Sequence, residues 1–289
     1  MKQIALFASY FEGEKIPYYI QFYLLELKKH FSDVVLIASN KNLNSNSLDF
    51  LKTNQIQLQF EKNEGFDFGL WLKAWQKMDN KQFDKIAFIN DSCLLYKPLE
   101  QFMTWANQSK ADFLGVSNSN AINYHIQSYF ILFNKTCFNE IDTYFKQNGI
   151  INDISELIKT YEIGLSQHLI QNNLKADSFY KTNYKGEFSP YLFLLEDQLQ
   201  KGVPLIKKKI IYSSFRSDEL FTLKRMAFDL NPTKYIQQIQ SLNIDNQIID
   251  FNKVVEENPN PKAPFFFISY YLNMKLFQIL KFAFKILKK

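Results

Sequence analysis

Short apolar runs alternate with stretches of helical spacing through the first part of the chain. The apolar runs predict buried strands at Ile4–Tyr10, Val34–Ala38 and Ile86–Ile89, the first of them buried on both faces, and further strands at Ile56–Phe60 and Asp112–Val116. The segments between them predict helices at Pro17–His30, Ser45–Asn54 and Leu99–Gln108, and one whose apolar positions are Leu70, Trp71, Ala74, Trp75 and Met78. Strands that alternate with helices form βαβ units. The pattern therefore predicts an α/β fold with a mostly parallel central sheet.

The pattern is less regular farther along the chain. Tyr124–Asn134 is aromatic and β-branched, and it predicts a strand along the sheet edge or the site. Ile154–Asn172 has helical spacing that Gly164 interrupts, which is compatible with a loop over its first part. Further helices are predicted at Pro190–Gln200, which Gly202 and Pro204 terminate, and at Ser217–Phe228 and Thr233–Leu242.

These patterns divide the chain into three units: residues 1–210 as the α/β domain, 211–258 as a helical C-terminal extension, and 259–289 as a proline-rich linker with a final helix.

In the final helix, a narrow stripe of basic residues lies on an otherwise apolar surface. The stripe contains Lys275, Lys281, Lys285 and Lys288. This pattern is typical of a helix that lies on an anionic membrane surface. The alternative is a helix packed on the body of the protein or on a second copy.

Composition narrows the class of protein. Aromatic residues form 17% of the 289 residues, which argues against extensive disorder. The net charge of +5 arises largely from the final lysines, so no nucleic-acid surface is predicted. Cys93 and Cys137 fit neither a disulfide framework nor a paired-cysteine metal site. The first apolar run predicts a strand rather than a signal peptide, and no charge-free apolar window reaches membrane-spanning length. We therefore expect a cytoplasmic protein, peripheral at the inner face of the cell membrane.

Two stretches carry candidate chemistry. The glycine-containing turn Asn63–Gly69 leads from a strand into a helix, and the strand Ile86–Ile89 ends abruptly in Asn90, Asp91 and Ser92. Open α/β sheets bind ligands at the carboxyl ends of their strands, which makes Asp91 a candidate site residue. Asn, Asp and Ser also favour turns, so a purely structural turn is the alternative.

Four motifs together resemble the rhamnan synthesis protein F family. They are Asn63–Asp67 (NEGFD), Ile89–Ser92 (INDS), His125–Phe130 (HIQSYF) and Gly202–Lys207 (GVPLIK). The members of this family are bacterial glycosyltransferases of cell-wall and surface polysaccharide assembly. The resemblance extends from about Ile4 to Lys209 and implies a GT-A-like fold. It also implies a nucleotide-sugar donor, with dTDP-rhamnose as the first choice.

The resemblance implies roles for both chemical stretches. GT-A enzymes use Asp-Xaa-Asp at a strand end to hold Mg²⁺ or Mn²⁺ beside the donor diphosphate. Here Asn90-Asp91-Ser92 supplies one carboxylate instead of two. Asp91 is therefore expected to hold a cation together with the diphosphate, or to hydrogen-bond the donor, with Asn90 and Ser92 beside it. Asn63 and Gly65 are expected to lie against the nucleotide. Asp67 either binds the donor or stabilises the helix dipole.

Inversion at the anomeric carbon requires a general base. Glu162, ahead of an apolar helix, is the candidate base, and Asp153 is the second choice. His125 and Gln127 share one face of a strand and are candidate pocket residues, and Lys207 is a candidate ligand of the diphosphate. Each of these roles has a structural alternative. Glu162 could be an exposed helix carboxylate, His125 a structural histidine, and Lys207 part of a solvated loop.

The sequence therefore predicts an inverting glycosyltransferase that moves a sugar, rhamnose first, to a lipid-linked or surface polysaccharide precursor. Its expected cofactor is Mg²⁺ or Mn²⁺, with His168 as a further candidate metal ligand. The rival hypothesis is a non-catalytic transferase fold that serves as a scaffold in polysaccharide assembly, because the strand end carries a single carboxylate. A scaffold has no need for Asn63, Gly65, Asp67 and Glu162 together, which favours the enzyme.

Overall fold

The structure is a computed structural model and describes residues 1–40, 42–183 and 195–208. Its strands are β1 Gln3–Ser9, β2 Asp33–Ala38, β3 Gln57–Phe60, β4 Lys85–Asn90, β5 Cys93–Leu95, β6 Phe113–Ser119, β7 His125–Ile126, β8 Phe130–Asn134, β9 Ala176–Tyr180 and β10 Leu205–Lys207. Its helices are α1 Tyr18–His30, α2 Ser45–Thr53, α3 Phe66–Lys77, α4 Glu100–Gln108, α5 Phe138–Asn148, α6 Ile154–Leu157, α7 Gly164–Gln171 and α8 Leu195–Gln200, with a π-helical segment, Ile158–Ile163, between α6 and α7.

The main sheet has the strand order β3-β2-β1-β4-β8-β6-β7, and β9 pairs with β6. Strand β1 is parallel to β2 and β4, β2 is parallel to β3, and β6 is parallel to β9. Strand β8 runs antiparallel between β4 and β6. The predicted α/β class with a mostly parallel central sheet is confirmed.

The strands β1, β2 and β4 are buried on both faces because helices cover both sides of the sheet. The edge strand β3 is half-buried or exposed along its length. Along β1, Ala5 and Phe7 face one core, and Leu6 faces the other. Helices α1 and α4 contribute to the first core, and α3, α5 and α7 contribute to the second. In the second core, Trp71 stacks on Phe88 at 5.1 Å and donates its indole N–H to the Leu6 carbonyl at 3.1 Å. Helix α3 is thereby fixed against the middle of the sheet.

The prediction of a single continuous strand over Tyr124–Asn134 is wrong. The chain forms β7, turns, and returns as β8 in the interior of the sheet. Phe130–Phe133 are all buried, which suits a strand covered on both faces. The turn itself is at residues 128–129, and the Gln127 amide still donates to the Ser117 carbonyl of β6 at 3.0 Å.

Gly164 does not interrupt its helix. The chain stays helical from Ile154 to Gln171, through the π-helical segment. A Cβ atom on residue 164 would lie 2.5 Å from the Tyr144 hydroxyl. The glycine therefore permits close approach of α5, and the predicted loop over the first part is wrong.

Several predictions concern residues that the structure does not describe. The helices Ser217–Phe228 and Thr233–Leu242, the linker, the final helix and hence the division at residues 210 and 258 lie outside the described residues. Of the predicted helix Pro190–Gln200, the described part is helical. No helix in the described ranges combines the length and the apolar character that crossing a bilayer requires.

A buried carboxylate joins α1 to α4. Glu26 is 5% exposed and accepts hydrogen bonds from the Leu99 amide, at 2.9 Å, and from Lys29, at 2.9 Å. His30 lies 3.4 Å from the same carboxylate. Burial alone would raise the pKa of Glu26, but the donors from His30, Lys29 and Leu99 outweigh it and lower the pKa to about 2. Glu26 thus satisfies an amide that the start of a helix leaves without an internal partner.

We expect Glu26 to make stability depend on pH. Its folded-state pKa lies below the ordinary value of 4.5, so its contribution is fully present above that value and is lost as the pH falls toward 2. Glu26→Gln should lower the free energy of unfolding at neutral pH by about 1–3 kcal/mol, and by less near pH 3. Urea denaturation measures both values. Glu100→Gln, which alters an exposed carboxylate near the same His30, is the control. Parallel pH profiles for Glu26→Gln and the wild type would contradict this role.

Candidate active site

The turn at the carboxyl end of β4 presents Asp91 to several elements at once. The register of β1 with β4 pairs Ala8 with Asn90, so Ser9 lies beside Asp91. One Asp91 oxygen, Oδ2, accepts hydrogen bonds from Ser9 Oγ at 3.1 Å, Tyr19 OH at 3.4 Å and Lys208 Nζ at 3.3 Å. The carboxylate is 12% exposed. Three separate elements therefore meet at this one oxygen: Ser9 at the end of β1, Tyr19 at the start of α1, and Lys208 directly after β10.

Asn90 joins this turn to the start of α3. Its Nδ2 donates to Asp67 Oδ2 at 2.7 Å, and its Oδ1 accepts from the Ser92 amide at 3.1 Å and the Ser92 hydroxyl at 2.5 Å. The two chemical stretches of the sequence therefore lie in contact. Asp67 is both in the first turn of α3 and beside the Asp91 turn, so its position is compatible with either role considered for it.

The environment of Asp67 disfavours its charged form. Burial raises its pKa most, the negative charge of Asp91 raises it further, and Lys207, Asn90 and Lys208 only partly compensate. The resulting pKa is about 7. Asp91 and Asp67 therefore have different surroundings, because Asp91 is hydrogen-bonded to a lysine and Asp67 to an amide.

A two-stranded antiparallel sheet brings two lysines to the turn. Strand β10 pairs with β5, with Lys207 opposite Cys93, and the Lys208 amide donates to the Ser92 carbonyl at 2.9 Å. Lys207 Nζ donates to Ser92 Oγ at 2.9 Å and lies 4.5 Å from the centre of the Tyr129 ring. Lys207 is therefore placed at the turn, and the alternative of a solvated loop is excluded.

Beyond Tyr129, buried polar groups continue along the same side of the sheet. The Tyr129 hydroxyl and Ser117 Oγ are 2.6 Å apart, and Ser117 Oγ donates to Gln127 Oε1 at 3.0 Å. Burial raises the pKa of Tyr129, and nearby charges on Cys93 and Glu162 add to the shift. Gln127 is 4% exposed, so it belongs to the inner wall of this region.

Glu162 lies in the π-helical segment and faces His125. Its Oε1 is 4.0 Å from His125 Nε2, and His125 Nδ1 lies 2.8 Å from the Asn123 carbonyl, to which it donates. The Glu162 side chain is 25% exposed, whereas His125 is buried. Single turns of π-helix are frequent at functional sites. A carboxylate that is open to solvent beside a fixed imidazole has the accessibility that a general base needs.

Comparison with known proteins identifies the family of the chain. The model of the family described as "Rhamnan synthesis protein F" matches residues 34–274, most of the chain. The chain belongs to the rhamnan synthesis protein F family. Membership supports a glycosyltransferase.

Individual relatives are distant. Virulence protein VirA of Vibrio anguillarum is 25% identical over 248 residues, which cover 80% of this chain and 73% of VirA. A cytidylyltransferase structure from Leptospira borgpetersenii is 15% identical, with a TM-score of 0.38 over 66% of this chain and 79% of that one. The structure of S. aureus TarS 1-349 is 13% identical, with a TM-score of 0.39 over 70% of this chain and 65% of that one. These likenesses assign no residue roles.

The glycine turn before α3 has a structural role that can be stated. Asn63 is exposed, whereas Gly65 is buried with φ +72°, and the Gly65 amide donates to Asn152 Oδ1 at 2.9 Å. A Cβ on residue 65 would lie 2.9 Å from the Ile150 side chain. Gly65 therefore lets the loop before α6 pack against the start of α3. Contact of Asn63 and Gly65 with a nucleotide stays a prediction.

Two weaker candidates have structural partners. Asp153 is exposed and caps α6 by accepting the Glu156 amide at 2.8 Å. His168 Nε2 lies 3.0 Å from Glu140 Oε2, which links α7 to α5. Helix capping and helix linking account for these two side chains.

The side chains at the turn do not by themselves supply the ligand shell of a divalent cation, and binding of a cation by Asp91 together with the donor diphosphate stays a prediction. Among residues 1–40, 42–183 and 195–208, no three His, Cys, Asp or Glu side chains cluster as ligands. Mg²⁺ and Mn²⁺ need a shell of oxygen ligands. Asp91 Oδ2 already accepts three donors, one of them an ammonium group.

Sequence reasoning missed three of these partners. Ser9 and Tyr19 belong to elements that were predicted correctly, but no local pattern indicates that they touch Asp91. Lys208 directly follows Lys207 in a run of three lysines, and that run was the available signal.

We expect Asp67→Asn to stabilise the protein at alkaline pH. The folded state favours neutral Asp67, so its contribution is fully present below pH 3.8 and is lost as the pH rises through about 7. Asparagine cannot ionise and still offers Asn90 an acceptor. The free energy of unfolding should therefore rise near pH 8, on the order of a few kcal/mol, and change little near pH 3. Chemical denaturation at both pH values tests this, with Asp142→Asn on the surface as the control. The same effect at both pH values would contradict the assignment.

Proposed function

We propose that the protein is an inverting glycosyltransferase that moves a sugar from a nucleotide-sugar donor to a lipid-linked or surface polysaccharide precursor. Rhamnose, from dTDP-rhamnose, is the first choice because the family is described by rhamnan synthesis. The observation that carries the proposal is the meeting of the Asp91 turn, Lys207 and Asp67 at the carboxyl end of β4. That is the position where open α/β sheets bind nucleotide ligands.

The reaction is a displacement at the anomeric carbon. The acceptor hydroxyl oxygen attacks that carbon, the bond from the carbon to the donor phosphate oxygen breaks, and its electron pair stays on the leaving nucleoside diphosphate. The acceptor proton passes to the Glu162 carboxylate, and Lys207 neutralises charge that develops on the leaving group. Glu162 suits the proton transfer because its side chain is partly exposed while the His125 beside it is fixed by Asn123.

The other candidates bind and position in this proposal. Asn63 and Gly65 lie under the nucleotide, and Asn90 and Ser92 hold the turn at the diphosphate. Gln127 and His125 form the wall between donor and acceptor, where their burial keeps them in place. Asp91 positions Lys208 and Tyr19, to which it is bonded. A substitution at Asp91 is therefore expected to remove activity through these partners.

The rival scaffold hypothesis makes a different prediction about donors. The scaffold hypothesis is motivated by the turn having only one carboxylate, Asp91, which already accepts a hydrogen bond from Lys208. A scaffold would show no thermal stabilisation by any nucleotide sugar. An enzyme is stabilised by its own donor, because a ligand that binds only the folded state raises apparent stability by mass action.

Glu162→Gln tests the enzyme directly. A panel of nucleotide sugars, screened for thermal stabilisation of the full chain, first identifies the donor. Glu162→Gln should then lower turnover on the order of a hundredfold or more, with donor affinity nearly unchanged, because a base acts in the transition state. Glu156→Gln, an exposed carboxylate on the preceding helix α6, is the control. Loss of donor affinity without loss of turnover would make Glu162 a binding residue and overturn its role as the base.

We further propose that residues 265–289 attach the enzyme to the inner face of the cell membrane. The proposal rests on the lysine stripe and apolar surface of this sequence, since these residues lie outside the described ranges. A lipid-linked acceptor would then meet the active site at the same surface.

A chain ending at Pro264 tests the membrane proposal. It should retain donor binding and lose sedimentation with anionic liposomes, because each lysine near such a surface contributes about 1 kcal/mol. Neutral liposomes and high salt should weaken binding of the full chain in the same way. Aggregation of the shortened chain, or undiminished liposome binding, would contradict the proposal.

A further inference from the structure

Lys208 is held at the turn by Tyr19 and Asp91, and its ammonium group has no role in the reaction described above. Its Nζ donates to Tyr19 OH at 2.9 Å, lies 3.3 Å from Asp91 Oδ2, and lies 4.7 Å from the centre of the Tyr19 ring. The side chain is 23% exposed. An ammonium group that is bonded on one side and still reaches solvent on the other can accept a further anionic partner.

The backbone holds both lysines in the same place. The antiparallel ladder of β10 with β5 ends at the pair Lys207–Cys93, and the Lys208 amide then bonds the Ser92 carbonyl. Lys207 reaches the Ser92 hydroxyl and Lys208 reaches the Asp91 carboxylate, so the two ammonium groups flank adjacent residues of one turn. Their placement follows from strand pairing and does not depend on loop conformation.

Two ammonium groups lie at the strand end where a dianionic group is expected to bind. Lys207 Nζ donates to Ser92 Oγ, and Lys208 Nζ donates to Asp91 Oδ2. Fixed ammonium groups stabilise phosphate oxygens without any further reorganisation.

We propose that Lys207 and Lys208 together form a metal-independent binding site for the diphosphate of the donor, with Asp91 as the residue that positions Lys208. The inference rests on the proposed function, which supplies the diphosphate, and deepens it by naming the cations. Divalent cations normally provide this neutralisation when a strand end carries two carboxylates. Here one of those positions is Asn90, and the remaining carboxylate is bonded to an ammonium group.

Binding of inorganic pyrophosphate to the full chain, measured by calorimetry with EDTA present, tests the site without any sugar. The wild type is expected to bind, Lys207→Gln and Lys208→Gln should each weaken binding at least tenfold, and the double variant should not bind measurably. Lys201→Gln is the matched control, since Lys201 is an exposed lysine six residues earlier that pairs with Asp197. Lys208→Arg, which keeps the charge, should restore most of the affinity.

Each outcome decides the proposal. Pyrophosphate binding that requires added Mg²⁺ or Mn²⁺ overturns it, as does binding that Lys208→Gln leaves unchanged. Should Lys208→Gln fail to fold, Lys208→Arg and Lys207→Gln give the same decision. The proposed glycosyltransferase function is tested separately. If the protein binds pyrophosphate tightly but transfers no sugar, the glycosyltransferase function is refuted and the diphosphate site is supported. If EDTA abolishes sugar transfer, the glycosyltransferase function is supported and the metal-independent site is refuted.

Discussion

Parallel pairing of β1 with β4 is the constraint on which the candidate site depends. Their register places Ser9 beside Asp91, and the start of α1, which follows β1, supplies Tyr19 to the same carboxylate. Both strands end at the same edge of the sheet because they run in the same direction. A slip of this register by one residue would turn Asp91 toward the opposite face of the sheet. Its hydrogen bonds with Ser9, Tyr19 and Lys208 would then be lost.

Two carboxyl groups share this edge but have different surroundings. Asp91 is bonded to an ammonium group and two hydroxyls, whereas Asp67 is bonded to the neutral amide of Asn90 and lies near the negative Asp91. Keeping Asp67 there costs stability at neutral and higher pH. A residue that costs stability and lies beside a candidate ligand site is the pattern expected when function opposes stability.

The site is completed by an element that lies far away in the sequence. Lys207 and Lys208 are separated from the turn by 115 and 117 positions, and they arrive through a strand of three residues paired with another of three. Closing so long a segment costs entropy that rises only slowly with its length. Completion of the site therefore depends on the burial of this small sheet, whose residues Leu94, Leu205 and Ile206 join the core beneath α1.

The amino-acid sequence alone was enough to predict the α/β class, the strands β1 to β4, the helices between them, the family, and the turn residues Asn90 and Asp91. These follow from local apolar periodicity and from short motifs. Tertiary structure alone decided that β8 enters the sheet interior, that the helix through Gly164 continues past a π-helical turn, and that Ser9, Tyr19 and Lys208 converge on Asp91. Local periodicity records whether a residue is buried, but it carries no information about which distant strand becomes its neighbour, because that choice depends on the packing of the whole sheet.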